Sequence, residues 1–369
     1  MGRLIDTTLR EGAQAPVPYL SSAQRAALVI AVAQIGVEEI ELGHAVSEPA
    51  YFAEPLIQLL ALAAQAAPGI RRAIWCRARA EDILAAAALG PEVVSFALPV
   101  SERHLTTRLH RDREWALAEV ARLVAVARQA GVGYVSVGLE DASRADASFL
   151  LEVVAAASAA GADRVRIADT VGVLSPGLLA ELVSAVRSRF AGEIGVHLHD
   201  DFGMATAGAV AALEAGAHWA DVSLLGIGER AGISRTEEVA AFLTLQGSQN
   251  YDLLALRKAA ELLSDWVNRP IPAHAPVLGA DVFACESGLH VTAQVSDPAN
   301  YEPYPPAAVG ATRSLRLGRN SGRTAVAALT GGDGGDLVEF TARLRAASAA
   351  LRRSLAAEEL EELLANPGA

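Results

Sequence analysis

The feature that most limits the fold of this chain is a regular alternation of short β-like runs with longer helical patterns. Eight apolar runs have the length and composition of buried parallel strands; they lie at residues 3–6, 38–42, 72–75, 93–97, 134–138, 164–168, 195–197 and 219–224. Amphipathic Ala- and Leu-rich stretches separate them, for example at 22–35, 112–130, 145–160, 176–190 and 205–215. Several helical stretches are followed by glycine, which is typical of helix C-termini. Eight successive β/α units predict a (β/α)8 TIM barrel, which we assign to residues 1–270.

A doubly wound parallel sheet is the alternative α/β fold. It would usually contain fewer strands and a glycine-rich turn after the first one. Here the first run continues into the polar segment DTTLREG instead, which favours the barrel.

The pattern changes after residue 270, which indicates a second domain. Prolines become frequent in RPIPAHAP and YEPYPP, and the segment LGRNSGR precedes a charged helical tail. We therefore predict an irregular linker and a smaller C-terminal α/β-type module over residues 271–369, which we expect to cover the active site.

Composition and charge exclude several classes of partner. The formal net charge is −12 and no Lys/Arg-rich run occurs, so nucleic acid and anionic membrane surfaces are not expected partners. The two cysteines, Cys76 and Cys285, are far apart, which argues against a disulfide framework and favours a reducing compartment. The N-terminus has no apolar signal segment, and no uncharged apolar stretch is long enough to span a membrane. We expect a cytoplasmic protein that acts on small molecules.

Polar residues collect where the predicted strands end, which is where (β/α)8 barrels carry out chemistry. The residues that follow the first, fifth, sixth, seventh and eighth runs are Arg10 and Glu11, Glu140 and Asp141, Asp169 and Thr170, His197 and His199, and the segment 226–232. Because carboxyl ends of parallel strands meet at one rim, these side chains are expected to converge.

Glu11, His197 and His199 are the candidate metal ligands. Two imidazoles and one carboxylate leave open coordination positions for substrate and water, and they suit Mg²⁺, Mn²⁺ or Zn²⁺. The alternatives are an ordinary polar strand end for the two histidines and an ion pair with Arg10 for Glu11. Asp200 and Asp201 are expected to orient the histidines or the next helix.

Three segments carry a resemblance to a known family: DTTLREGAQ, HLHDDFGMATA and GIGERAG. They resemble the metal-dependent acyl-CoA-condensing barrel enzymes, which include isopropylmalate, citramalate and homocitrate synthases. The resemblance continues through ESGLHVTAQVSDPANYEPYPPAAVG and LGRNSGR, and so covers nearly the whole chain. Shorter segments, among them WCR, LPVSE, GLEDASRAD and RIADTVGVL, are similar to homocitrate synthases associated with nitrogen fixation.

The resemblance implies a reaction in which the methyl carbon of acetyl-CoA joins the C2 carbonyl of a 2-oxo acid and the thioester is then hydrolysed. The metal would chelate the 2-oxo acid. It also implies roles for individual residues: Arg10, Glu140 and His290 as catalytic groups, Gln14, Arg77 and Thr170 in substrate binding, and Gly226, Gly228, Glu229 and Arg230 in the acetyl-CoA loop. Because His290 lies beyond the barrel, the second module would fold over a barrel mouth, either its own or that of the partner in a homodimer.

The identity of the 2-oxo acid depends on departures from the family pattern. Lysine-pathway homocitrate synthases commonly bind the distal carboxylate with a His and an Arg at positions that correspond to Ala73 and Ser136 here. Arg77, Arg103 and Arg108 are candidates to bind a distal anion instead. We expect 2-oxoglutarate as the acceptor, with phosphonopyruvate (giving phosphonomethylmalate), oxaloacetate and 2-oxoisovalerate as alternatives.

Two other functional classes are the alternatives to an acyl-CoA-condensing enzyme. A lyase that catalyses the reverse cleavage would usually lack the second module and carry a cysteine in the glycine loop, and GIGERAG contains none. A non-catalytic protein on a retained barrel would have lost some of the residues that carry chemistry. Arg10, Glu11, His197, His199 and His290 are all present.

Overall fold

The computed structural model describes residues 2–46, 56–331 and 336–365. The chain divides into two compact units, residues 1–270 and residues 271–369.

The first unit is a closed barrel of eight parallel strands in chain order, as predicted. β1 pairs with β2 on one side and with β8 on the other, which closes the barrel. The strands are β1 Arg3–Asp6, β2 Glu39–Ala45, β3 Arg71–Arg77, β4 Val93–Pro99, β5 Tyr134–Glu140, β6 Arg164–Asp169, β7 Glu193–Leu198 and β8 Trp219–Val222.

Ten α-helices lie in the described part of this unit. They are α1 Ser22–Ile35, α2 Leu56–Ala66, α3 Ala80–Ala88, the three-residue α4 Glu102–His104, α5 Arg113–Gln129, α6 Ala147–Ala159, α7 Pro176–Arg187, α8 Ala205–Glu214, α9 Thr236–Leu245 and α10 Leu253–Val267. Their starts follow local capping chemistry: the side chains of Ser21, Asp112, Asp146 and Ser175 each accept a hydrogen bond from a backbone N–H of the first turn.

Several strands are longer than the predicted apolar runs, because polar residues occupy their ends. β7, for example, begins at Glu193, whose carboxylate accepts hydrogen bonds from Arg3 and from the indole of Trp219 at 2.8 Å. Charged residues also lie inside a predicted run: β2 includes Glu39 and Glu41, and both are completely buried.

The second unit combines a short sheet with helices. β9 (Ala284–Cys285) pairs in parallel with β10 (Ser314–Leu315). Its helices are α11 Gly288–Ser296, α12 Arg323–Thr330, α13 Asp336–Leu351 and α14 Ala357–Ala365. A small apolar core holds them together, made of Val291, Leu317, Ala325, Val326, Leu344 and Leu355.

No helix in the described parts of the chain has both the length and the apolar character that crossing a membrane requires.

One buried acid in the barrel wall gives the fold a dependence on pH. Glu237, in the first turn of α9, is only 2% exposed, and its carboxylate accepts a hydrogen bond from the N–H of Leu225 at 3.0 Å. Burial raises the pKa of Glu237 to about 7.

We predict that Glu237→Gln flattens the pH dependence of the free energy of unfolding. Between the ordinary glutamate pKa of 4.5 and the folded value of about 7, the folded protein binds a proton that the unfolded chain releases. Stability should therefore fall as pH rises through this window in the parent protein and fall less in the variant, which keeps an amide oxygen as acceptor. Urea unfolding at pH 5 and pH 8 measures the difference. The exposed Glu214→Gln variant is the control, and equal slopes for all three proteins would contradict the prediction.

Candidate metal centre and active site

The three predicted metal ligands converge at the carboxyl ends of the barrel strands. Glu11 lies in the turn after β1, His197 is near the end of β7, and His199 follows it. One ligand atom from each lies within 4.8 Å of the others, and all three side chains are buried. Among the described residues, no other group of His, Cys, Asp and Glu side chains meets this condition.

The hydrogen bond of His197 leaves its outer nitrogen available for a metal. Nδ1 is 2.8 Å from Oδ2 of the buried Asp221, and an ionised carboxylate can only accept, so Nδ1 donates. Nε2 therefore presents its lone pair, 3.7 Å from Oε2 of Glu11. A carboxylate behind a ligating histidine is the usual way in which proteins fix that ring.

His199 provides the second nitrogen. Its Nδ1 is buried and has no hydrogen-bond partner. A buried polar atom without a partner is costly, and a bound cation would satisfy it. Burial, together with the charge of His197, lowers the pKa of His199 to about 4, so the ring is neutral at pH 7. Burial acts to raise the pKa of Glu11, but Arg10, the two neighbouring histidines and the N–H of Glu229 together outweigh it and lower the pKa to about 2. One carboxylate and two imidazoles fit a divalent cation.

Arg10 lies directly beside this centre. Its Nη1 donates to Oε2 of Glu11, and its Nε donates to Oε2 of Glu41 at 2.6 Å. The ion pair that was the alternative interpretation of Glu11 is thus present, and the same carboxylate also faces His197. Glu41 on β2 and Asp221 on β8 were not predicted from sequence. The available signal was the acidic residue inside the apolar runs EIEL and WADV.

Glu140 ends β5, where a second polar cluster forms. Its carboxylate is 3.1 Å from Nδ1 of His104 and accepts a hydrogen bond from Arg108 at 2.7 Å. No pattern in the sequence predicts this contact of His104. The hydroxyl of Thr170 accepts a hydrogen bond from the N–H of Asp141 at 2.8 Å, which joins the ends of β5 and β6.

A cavity of about 460 Å³ lies beside Arg10 in the first unit, and its lining includes Gln14 and His44. Gln14 therefore faces a space that Arg10, the neighbour of Glu11, also lines. Arg77 is another residue predicted to bind substrate. Its Nη2 donates to Oδ1 of the buried Asp82 at 3.2 Å. Its role in binding a distal anion stays a prediction.

The glycine loop after β8, residues 226–232, packs against Glu11, one of the predicted metal ligands. A Cβ atom on Gly228 would lie 3.1 Å from Cγ of Glu11, and the N–H of Glu229 donates to Oε1 of Glu11 at 3.3 Å. Arg230 donates to the carbonyl oxygen of Thr170 at 2.7 Å. Close approach of Glu11 is therefore one physical reason for glycine at position 228, in addition to the predicted contact with acetyl-CoA.

His290 lies in α11 of the second unit and is half-buried. Its ring faces that of Tyr301, with centroids 4.0 Å apart and a tilt of 45°. Tyr301 was not among the predicted site residues, although it lies in the segment that carries the resemblance.

We predict that His197→Ala abolishes tight binding of a divalent cation. The variant loses one of three ligands, while Asp221 keeps its hydrogen bond from Arg166. Metal content after purification in a metal-replete buffer measures the effect. His274→Ala, which removes an exposed histidine, should retain the metal content of the parent protein. Equal metal content in the parent and His197→Ala would rule out this centre.

Comparison with known protein families agrees with the geometry in both units. Residues 2–263 match the family described as HMGL-like, and residues 277–339 match the family described as homocitrate synthase post-HMGL domain-like.

Named relatives cover most of the chain. A homocitrate synthase of Frankia alni is 41% identical over 88% of this chain and 91% of that protein. A 2-phosphonomethylmalate synthase of Streptomyces rubellomurinus is 36% identical over 88% of this chain and 86% of that protein. Among solved structures, the HMG-CoA lyase of Bacillus subtilis matches with a TM-score of 0.65 and 20% identity, over 75% of this chain and 96% of that one, which supports the barrel fold alone. The chain therefore belongs to the HMGL-like family, among the homocitrate synthase-like acyl-CoA-condensing enzymes.

Proposed function

We propose that this protein condenses acetyl-CoA with 2-oxoglutarate and water to give homocitrate and CoA. The observation that carries the proposal is the convergence of Glu11, His197 and His199 with Arg10 at one rim of the barrel. The homocitrate synthase of Frankia alni, at 41% identity over nearly its whole length, supports the choice of acceptor.

The donor set supports a divalent metal, namely Mg²⁺, Mn²⁺ or Zn²⁺. Glu11, His197 and His199 would hold it, and when bound it would polarise the 2-oxo acid as a Lewis acid. Arg10 has N–H groups close to the metal ligands and is held by Glu41 from behind. We assign Arg10 to the oxygen of the C2 carbonyl, where negative charge develops as the methyl carbon attacks.

We assign proton transfer to Glu140 and His290, and binding of the C1 carboxylate to Thr170. Glu140 is supported by its position at the carboxyl end of β5 and by its contacts with His104 and Arg108. His290 is supported by the resemblance of ESGLH to the family motif and by its ring contact with Tyr301. Arg230 and Glu229 are proposed to keep the loop 226–232 in position for acetyl-CoA.

The named relatives support two other 2-oxo acids as acceptors. The 2-phosphonomethylmalate synthase relative makes phosphonopyruvate the first alternative, and the 2-isopropylmalate synthase 2 of Caldanaerobacter subterraneus, at 35% identity, supports 2-oxoisovalerate. Oxaloacetate remains a further alternative. Ala73 and Ser136 are both buried, and Ser136 accepts a hydrogen bond from Arg164 at 3.0 Å. Neither supplies a cation for a distal carboxylate.

The homodimeric state and the cytoplasmic location stay predictions. The location is supported by Cys76 and Cys285, which are both free thiols.

We predict that 2-oxoglutarate gives the highest kcat/KM in a panel of 2-oxo acids. The panel comprises 2-oxoglutarate, phosphonopyruvate, oxaloacetate and 2-oxoisovalerate at saturating acetyl-CoA, and release of free CoA is followed. The acceptor that the site was built to bind should give the lowest barrier, because specificity is a difference in transition-state binding. A 2-oxoglutarate rate among the lowest of the panel would exclude homocitrate synthesis.

We predict that Arg10→Ala keeps its metal but loses at least about 10²-fold in kcat, the usual effect of removing a donor to a developing oxyanion. All three metal ligands remain in this variant, so metal content should match the parent protein. Arg122→Ala, which removes a half-exposed surface arginine, is the control and should keep its rate. A near-normal rate for Arg10→Ala would refute the role.

A further inference from the structure

Around the candidate metal site, six side chains form a closed ring in which acidic and basic residues alternate. We call it the charge ring, and its members in order are Glu11, Arg10, Glu41, Arg166, Asp221 and His197. It closes across the 3.7 Å gap between Nε2 of His197 and Oε2 of Glu11, where the metal would lie. All six residues are buried.

Arg166, on β6, lies with Glu41 at the part of the ring farthest from that gap. Its Nη1 donates to Oδ2 of Asp221 at 2.8 Å and to Oε1 of Glu41 at 3.1 Å. Its Nη2 donates to the hydroxyl of Ser95 at 2.9 Å. The planar guanidinium thus fixes two carboxylates that belong to β2 and β8, the two strands that flank β1.

Each of those carboxylates orients a residue of the candidate site. Asp221 holds Nδ1 of His197, so it sets the direction in which Nε2 faces. Glu41 holds Nε of Arg10, so it sets the position of the N–H groups assigned to the reacting carbonyl. Arg166 contacts neither the ligands nor the cavity and acts only through these two acids.

Removing the charge of Arg166 would leave Glu41 and Asp221 facing one another with one cation fewer. Breaking a buried ion pair by removing one partner is strongly destabilising, because the remaining charge has no water to solvate it. The carboxylates would relieve this by moving apart or by drawing Arg10 and His197 towards themselves. Either change alters the ligand geometry and the position of Arg10 together.

We propose that Arg166 is a positioning residue, which sets the metal-binding nitrogen of His197 and the guanidinium of Arg10 through one shared contact. The part that concerns metal binding stands on the geometry of the site. The part that concerns Arg10 rests on the proposed function.

Arg164 provides a matched control. It lies two residues earlier on the same strand, is also completely buried, and donates to both carboxylate oxygens of Glu39 at 2.6 and 3.0 Å. Its other partner is Ser136. None of these contacts belongs to the charge ring, so loss of Arg164 removes a buried cation and leaves every hydrogen bond of the charge ring in place.

The test compares Arg166→Met, Arg166→Lys and Arg164→Met, each purified as the full-length chain and freed of metal. Affinity for Mn²⁺ is measured by calorimetry without acetyl-CoA or a 2-oxo acid, and thermal unfolding is measured in parallel. We expect Arg166→Met to bind Mn²⁺ about 10- to 100-fold more weakly, the usual effect of losing support behind a ligand, and Arg166→Lys to recover part of the affinity. Arg164→Met should lose thermal stability but bind Mn²⁺ within about twofold of the parent protein.

Parent-like Mn²⁺ affinity in a folded Arg166→Met variant would overturn the proposal, and so would an equal loss in Arg164→Met. If Arg166→Met does not fold, Arg166→Lys is the deciding variant, because lysine keeps the charge but cannot bridge both acids in one plane. Parent-like Mn²⁺ affinity and kcat in Arg166→Lys would then overturn the proposal. In the acceptor assay we expect Arg166→Lys to lower kcat more than it raises KM. Metal affinity needs no substrate, so failure of the proposed acceptor leaves this test intact.

Discussion

Buried charge is the constraint on which the rest of this barrel depends. The interior contains Glu39, Glu41, Arg164, Arg166 and Asp221 in addition to aliphatic side chains, and a charge in that environment is tolerated only with a partner. The pairs Arg164–Glu39 and Arg166–Glu41 each join residues 125 positions apart in the chain. Both pairs join β2 to β6 across the barrel, and the contacts of Arg166 and Glu41 also orient residues of the candidate metal centre.

The barrel could be predicted from sequence because the strand-and-helix pattern repeats eight times, so that misplaced ends of one strand leave the number of β/α units unchanged. Glu11, His197 and His199 could be predicted because polar residues at the carboxyl ends of parallel strands meet at one rim. The residues that orient these side chains could not be predicted. Glu41 and Asp221 lie inside apolar runs, and their contacts with the site depend on strand register and on partners far away in sequence, which a local pattern does not contain.

The same limit explains His104 and Arg77. His104 lies after β4 and reaches Glu140 at the end of β5, a contact between neighbouring units that hydrophobic periodicity does not encode. Arg77 has the right chemistry for a distal carboxylate, but its guanidinium is paired with Asp82 on α3. A residue type indicates what a side chain can bind, whereas competing partners determine whether it is available. The relatives illustrate this at the level of function, since proteins 35–41% identical to this chain are named for three different products.

The contact between Gly228 and Glu11 has an evolutionary consequence. A Cβ atom at position 228 would press against Glu11, so a larger residue there requires this candidate metal ligand to shift. Gly226 and Gly232 both have positive φ, and a Cβ atom on Gly232 would lie 1.8 Å from the carbonyl oxygen of Gly226. Substitutions that change what the loop binds are therefore expected at positions 227 and 229–231, and divergence of binding specificity in such a barrel would proceed around these glycines.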